Sequence, residues 1–166
     1  MNRILLLVAL ALGALAFGRA EAAGVTANSI VTAQTPNRGI VQFLQGTDSA
    51  GTYKTLYTAG TNGSVCFGAW ATNSEAATGH LVTVQVINST VKYGGTAVTV
   101  PFGAGFATGV PPVALMSAGN WPGLALDSNG NSYVLLINGD TLSATFASAF
   151  VTSSATVNIV ISCLDY

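Results

Sequence analysis

Side-chain chemistry needs a nucleophile beside a base, a pair of carboxylates or a set of metal ligands. This chain offers one histidine, two cysteines and a few scattered acids among 166 residues. His80 follows a glycine at the start of an alternating run and reads as a surface residue rather than a base. Nothing in the spacing of Asp48, Glu75, Asp127, Asp140 and Asp165 pairs two carboxyls for acid–base work. Asp127, Asn129 and Asn131 match the opening D-x-N-x-N of a calcium loop, where alternate oxygens wrap a hard cation. The match then stops, because Ser132 stands where that loop needs glycine and Asn138 where it needs glutamate, so a plain turn is the better reading. The expectation is a protein that is not an enzyme and has no metal and no cofactor.

Three other sets of residues merit a structural test. Cys66 and Cys163 are too far apart for a CxxC site and have a single histidine for company, so a metal site is excluded and a disulfide is expected, with two separate buried thiols as the alternative. That bridge closes a loop of roughly 97 residues, for which chain entropy gives about 4 to 5 kcal/mol as an upper guide. Trp121, in Asn-Trp-Pro-Gly, is a candidate ligand contact that could stack on a sugar or anchor a partner; its alternative is a plug over the open end of the fold. Val134 and Leu136 are candidate interface residues.

The last pair follows from the elements that carry it. Asp127 to Ala147 reads as two strands joined at Asn138-Gly139, a dipeptide that tolerates the positive φ of a tight hairpin turn. A two-residue turn pairs Leu136 with Thr141 and Val134 with Ser143, leaving Val134 and Leu136 on a half-polar face that something must cover. A second hairpin is expected from Gly39–Gln45 and Tyr53–Thr58, and a third from residues 91–100 turning at Gly94-Gly95. Val65 to Ala71 reads as a strand with Trp70 and Cys66 facing the core. His80 to Asn88 and residues 155–163 alternate cleanly, the latter with Val157, Ile159, Ile161 and Cys163 on one face. Residues 102–126 break the rhythm with glycine and proline and form the long connection, with a helical turn or two at 113–118. These elements give an all-β, single-domain antiparallel β-sandwich or jelly-roll of eight or nine strands over residues 30–166.

The N-terminus is a separate matter. Arg3, the apolar run from Ile4 to Phe17 and Ala20-Glu21-Ala22 read as a secretory signal peptide over residues 1–22, cleaved after Ala22. Residues 23–29 then form a flexible arm, and 29–34 a short first strand that could add to a neighbour's sheet. Export places the cysteines where disulfides form. The protein is expected to be secreted, extracellular or periplasmic, with no stable membrane insertion after cleavage. Past the signal peptide, Arg38, Lys54 and Lys92 stand against five acids, a net charge of about −2. With no basic cluster, nucleic acid is excluded as a partner. An uncharged surface rich in Thr, Ser, Asn and Gly repels its own copies weakly and suits a homo-oligomer or an assembly subunit.

The phrases TPNRGIVQFLQGT, KTLYTAGTNGS, HLVTVQV and NWPGLALDSNGNSYVLLINGDTL, with the ending Asp165-Tyr166, resemble a group of small β-rich proteins of tailed phages and prophages encoded near head genes. The resemblance implies a virion-associated or surface-assembled protein of the decoration or fibre kind, and it supplies no site residues. The signal peptide departs from that pattern. The function expected is therefore a non-catalytic structural protein that assembles on a virion, filament or cell surface, with a secreted binding module for glycan or a host surface as the alternative.

Overall fold

A computed structural model describes residues 35–166. The signal peptide at 1–22, the arm at 23–29 and the strand expected at 29–34 lie outside the described residues. The described chain is all β: β1 Thr35–Leu44, β2 Lys54–Thr58, β3 Ser64–Asn73, β4 His80–Asn88, β5 Val91–Val100, β6 Val113–Ala114, β7 Ala125–Leu126, β8 Ser132–Leu136, β9 Asp140–Ala147 and β10 Thr156–Asp165. Ten strands replace the expected eight or nine. The surplus comes from the stretch expected to be irregular, where β6 replaces the helical turn expected at 113–118 and pairs with Trp70 and Ala71 of β3.

Two antiparallel sheets face each other. The larger runs β1-β10-β3-β8-β7, with β6 also on β3, and the smaller runs β2-β9-β4-β5. β9 and β10 send their most apolar sets inward. β10 contributes Val157, Ile159, Ile161 and Cys163, and β9 contributes Leu142, Ala144 and Phe146, all at most 1% exposed. Phe43 of β1 meets Phe146 across the sandwich at 5.0 Å between ring centroids. Full burial of each such side chain is worth about 1.5–3 kcal/mol, which makes this layer the main source of stability.

Two of the expected hairpins are instead crossings between sheets. The turn at Asn138-Gly139 exists, with Gly139 at φ 89° and the Asp140 amide donating to the Ile137 carbonyl at 3.0 Å. Yet β8 pairs with β3 and β7, while β9 pairs with β2 and β4. A hairpin would align Leu142 with Leu135 and strand Leu136 and Val134 on the opposite face. Parting the strands lets β8 and β9 both turn their own apolar face into the core. The Asp140 carboxylate holds the crossing, accepting from the Ile137 amide (2.9 Å), the Asn88 side-chain amide (2.7 Å) and the Tyr93 hydroxyl. β1 and β2 part in the same way, onto β10 and β9. The third expected hairpin does not form: residues 91–100 are the single strand β5, with Gly94-Gly95 inside it, where a Cβ on Gly95 would sit 2.6 Å from the Val84 carbonyl oxygen, and β5 instead makes a hairpin with β4 around Ser89-Thr90.

The edge of the sandwich at β1 and β2 is closed. A Cβ on Gly39 would lie 2.2 Å from the Leu56 carbonyl oxygen, so only glycine lets the two strands approach this far. Lys54 donates to the Gln42 carbonyl of β1 at 2.8 Å, pairs with Asp48 at 2.7 Å and lies 5.1 Å from the Phe43 ring centre. A lysine laid over a strand edge occupies hydrogen-bonding positions that another strand would otherwise use.

Candidate functional site

Cys66 and Cys163 are cross-strand partners on β3 and β10, joined as a disulfide and buried on the core face. The other expected site residues lie elsewhere than the sequence placed them. His80 is buried, not on the surface. Its Nδ1–H donates to the Ala147 carbonyl at 3.1 Å, and its ring packs 4.8 Å from Phe150 and 5.5 Å from Phe146. Nε2 has no hydrogen-bond partner among the described residues and lies 4.0 Å from Oε1 of the equally buried Glu75. His80 shares the phase of Val82, Val84 and Val86, and that was the signal for its burial.

Glu75 spends its acceptors on structure. Oε1 accepts from the amides of Val151 (2.6 Å) and Thr152 (3.1 Å), and Oε2 from the Thr152 hydroxyl (2.6 Å), pinning the β9–β10 loop. Burial pushes the carboxyl pKa up, but the Thr152 hydroxyl, the two amides and His80 together hold it below the usual carboxylate range. No substrate reaches this pair, because both side chains are fully enclosed.

The Asp127 loop closes on itself. Oδ1 accepts from the amides of Asn129 and Asn131, both at 2.8 Å, and Oδ2 from the Asn131 side chain at 2.9 Å. The Asn131 side-chain amide therefore points a donor, not an oxygen, at the carboxylate, which is a turn and not a cation cage. Among the described residues no three His, Cys, Asp or Glu side chains converge as a metal site.

Trp121 is 4% exposed and part of the core, so it does not present its ring as a ligand contact. It lies against Gly94 of β5 and lines a hollow of about 310 Å³ with Val86, Tyr93, Leu124 and Val134. Its loop is tied down by the Thr96 hydroxyl, which donates to the Asn120 carbonyl, and by the Trp121 amide, which donates to the Ser117 carbonyl at 2.8 Å. The side chain plugs the sandwich on the side of β5 and β8.

Val134 and Leu136 are likewise inside. Leu136 is 2% exposed and Val134 is half-buried against the core, so the apolar face that β8 offers to solvent is the opposite one, Leu135 at 51% and Ile137 at 67%. The cause is the crossing at Asn138-Gly139, which reverses the assignment of faces that a hairpin would impose.

The outer face of the larger sheet is the most distinctive surface among the described residues. Its rows follow from the strand registers. One row reads Pro36, Leu164, Val65, Leu135, with Val65 itself buried; the next, Arg38, Ser162, Phe67, Tyr133, Ala125; the third, Ile40, Val160, Trp70, Ala114. Ile40 is 61% exposed and Phe67 39%. A polar row borders them, where Gln42 donates to Asn158 at 2.9 Å and Asn158 to Thr72 at 3.2 Å. Arg38 is the only charged residue in these rows, and beside it a shallow hollow of about 460 Å³ runs between Pro36, Phe67 and Leu164.

A bulge builds this face. Gly68, at φ +64°, and Ala69 together stand opposite Ile161, since Ser162 pairs with Phe67 and Val160 with Trp70. The extra residue resets the alternation, so that Cys66, Ala69 and Ala71 all point inward while Phe67 and Trp70 both point outward. Trp70 is therefore a half-buried residue of the outer face and not of the core. Sequence alternation missed Phe67, Trp70 and Ile40 as surface neighbours; Gly68 inside a strand was the available cue.

The smaller sheet differs on its outer face. Its middle rows carry Thr83, Gln85, Thr141, Ser143 and Thr145, of which Gln85, Ser143 and Thr145 are buried, and Leu81 is exposed at its end.

No family model matches the chain, and no curated protein matches it. Among solved structures, a chain described as "Cyanophage Pam1 capsid asymmetric unit" aligns with 16% sequence identity and a TM-score of 0.40, covering 80% of this chain and 84% of that one.

Proposed function

We propose that this chain is a non-catalytic structural protein, exported and assembled on a virion, filament or cell surface, which docks through the outer face of its larger sheet. The observation that carries the reading is that face: a contiguous set of aliphatic and aromatic side chains with a hydrogen-bonded polar border. An apolar centre inside a polar rim is the anatomy of a protein interface. The disulfide accords with an oxidising location. The alternative of a glycan-binding module leaned on Trp121, whose buried ring gives it no support.

Sedimentation of the medium and surface fractions of producing cells tests the reading. The wild-type protein is expected in material far heavier than a free chain of this size, and Phe67→Asp at the top of the gradient, still folded by circular dichroism. Wild type and variant sedimenting alike as free protein would overturn it.

A further inference from the structure

We infer that the partner on this outer face is a second copy of the same chain, bound face to face about a two-fold axis parallel to β3. The inference rests on the docking reading above and adds the identity of the partner. Three observations carry it: the order of the strands, the placement of the charges and the size of the face.

β3 is the middle strand of the path β1-β10-β3-β8-β7. A two-fold axis along it brings β1 of one copy over β7 of the other, and the reverse. The row that begins at Arg38 on β1 ends at Ala125 on β7. Asp127 stands two residues further, about 7 Å along an extended chain and within reach of an arginine side chain. The face thus carries a cation at one margin and an anion at the other, and the two-fold superposes each on its opposite. Isologous contacts require this self-complementarity.

The size fits. Three strands of ten residues, β8 of five and β7 of two, at about 4.8 Å spacing and about 3.3 Å per residue, give a face of about 600 Å², and two such faces bury about 1,200 Å², the lower bound for a specific interface. The excess of acids over bases is small, so two copies repel weakly. Association through β1 as an edge strand is disfavoured, because Lys54 and the Gly39–Leu56 approach already occupy that edge.

Sedimentation equilibrium on the exported, purified full chain tests this with four proteins: wild type, Leu135→Asp, Arg38→Glu and the double charge swap Arg38→Glu/Asp127→Arg. The wild type is expected to dimerise. Leu135→Asp and Arg38→Glu should each weaken the dimer by about tenfold or more, and the swap should restore most of what Arg38→Glu loses. A circular-dichroism melt of each variant separates lost association from lost folding. A monomeric wild type, a dimer indifferent to Leu135→Asp, or a swap that restores nothing in a folded protein would each overturn the two-fold pairing. The docking reading would survive any of these if wild type, but not Phe67→Asp, still sediments with heavy material.

Discussion

Cys66 and Cys163 lie directly opposite each other on β3 and β10, with Cα atoms 4.0 Å apart and a sequence separation of 97. The bridge joins two strands that already share a ladder, so its effect falls on the unfolded chain, which it closes into a long loop. Replacing both cysteines with alanine should cost about 2–5 kcal/mol. Urea unfolding should show a lower midpoint for the double variant, and the wild type treated with reductant in denaturant should approach it. Equal midpoints would refute a stabilising bridge.

Glu75 makes stability depend on pH with a defined sign. Burial raises its pKa, but the hydrogen bonds from Thr152 and Val151 outweigh that, and the folded carboxyl titrates below its unfolded value. Asp140 and Asp165 behave alike: burial opposes ionisation, and donors from Tyr93 and Asn88, or from Ser64 and Tyr57, prevail. In the window between folded and unfolded values the unfolded chain binds more protons. The stabilisation is therefore complete above the ordinary carboxylate range and is lost as pH falls through the folded values. Urea midpoints measured from neutral to strongly acidic pH should fall on the acid side, and Glu75→Gln should shrink that slope while lowering the neutral-pH midpoint. An unchanged slope would remove Glu75 from this account.

Gly39 should tolerate no side chain. A Cβ there meets backbone, the Leu56 carbonyl at 2.2 Å and its carbon at 3.1 Å, and neither atom can rotate away. Gly39→Ala should destabilise by about 1–3 kcal/mol, the usual cost of overpacking, read as a drop in melting temperature. Gly119, with open space around it and no left-handed backbone, makes the control against a general effect of losing glycine.

Trp121→Ala should behave as a core truncation, costing about 3–5 kcal/mol and opening the hollow between β5 and β8. Calorimetry reads the loss. A variant as stable as wild type would show the ring to be dispensable to packing.

The all-β class, the turn at Asn138-Gly139, the inward faces of β4 and β10 and the partnership of the cysteines were legible because each depends on local alternation or on simple counting, whereas Gly94-Gly95, read as a turn, lies inside β5. Pairing across sheets was not. Asn138-Gly139 encodes a turn, but whether its arms pair or part depends on where Leu136 and Phe146 can be buried, and that is decided by β3 and β4, far away in the chain. Gly68 shifted Trp70 by a single residue and so moved it to the other side of the sheet. The outer face escaped notice because it is assembled from β1, β10, β3 and β8, and no segment of sequence contains it.

β10 lies between β1 and β3, and every residue of β1 finds its ladder partner there. Synthesis therefore presents β1 long before its neighbour exists. Until the residues up to Asp165 have been made, Ile40 on β1 and Phe67 and Trp70 on β3 are not held in one sheet. The outer face of the larger sheet is thus completed only by β10, so the docking proposed for it is closed to an unfinished chain.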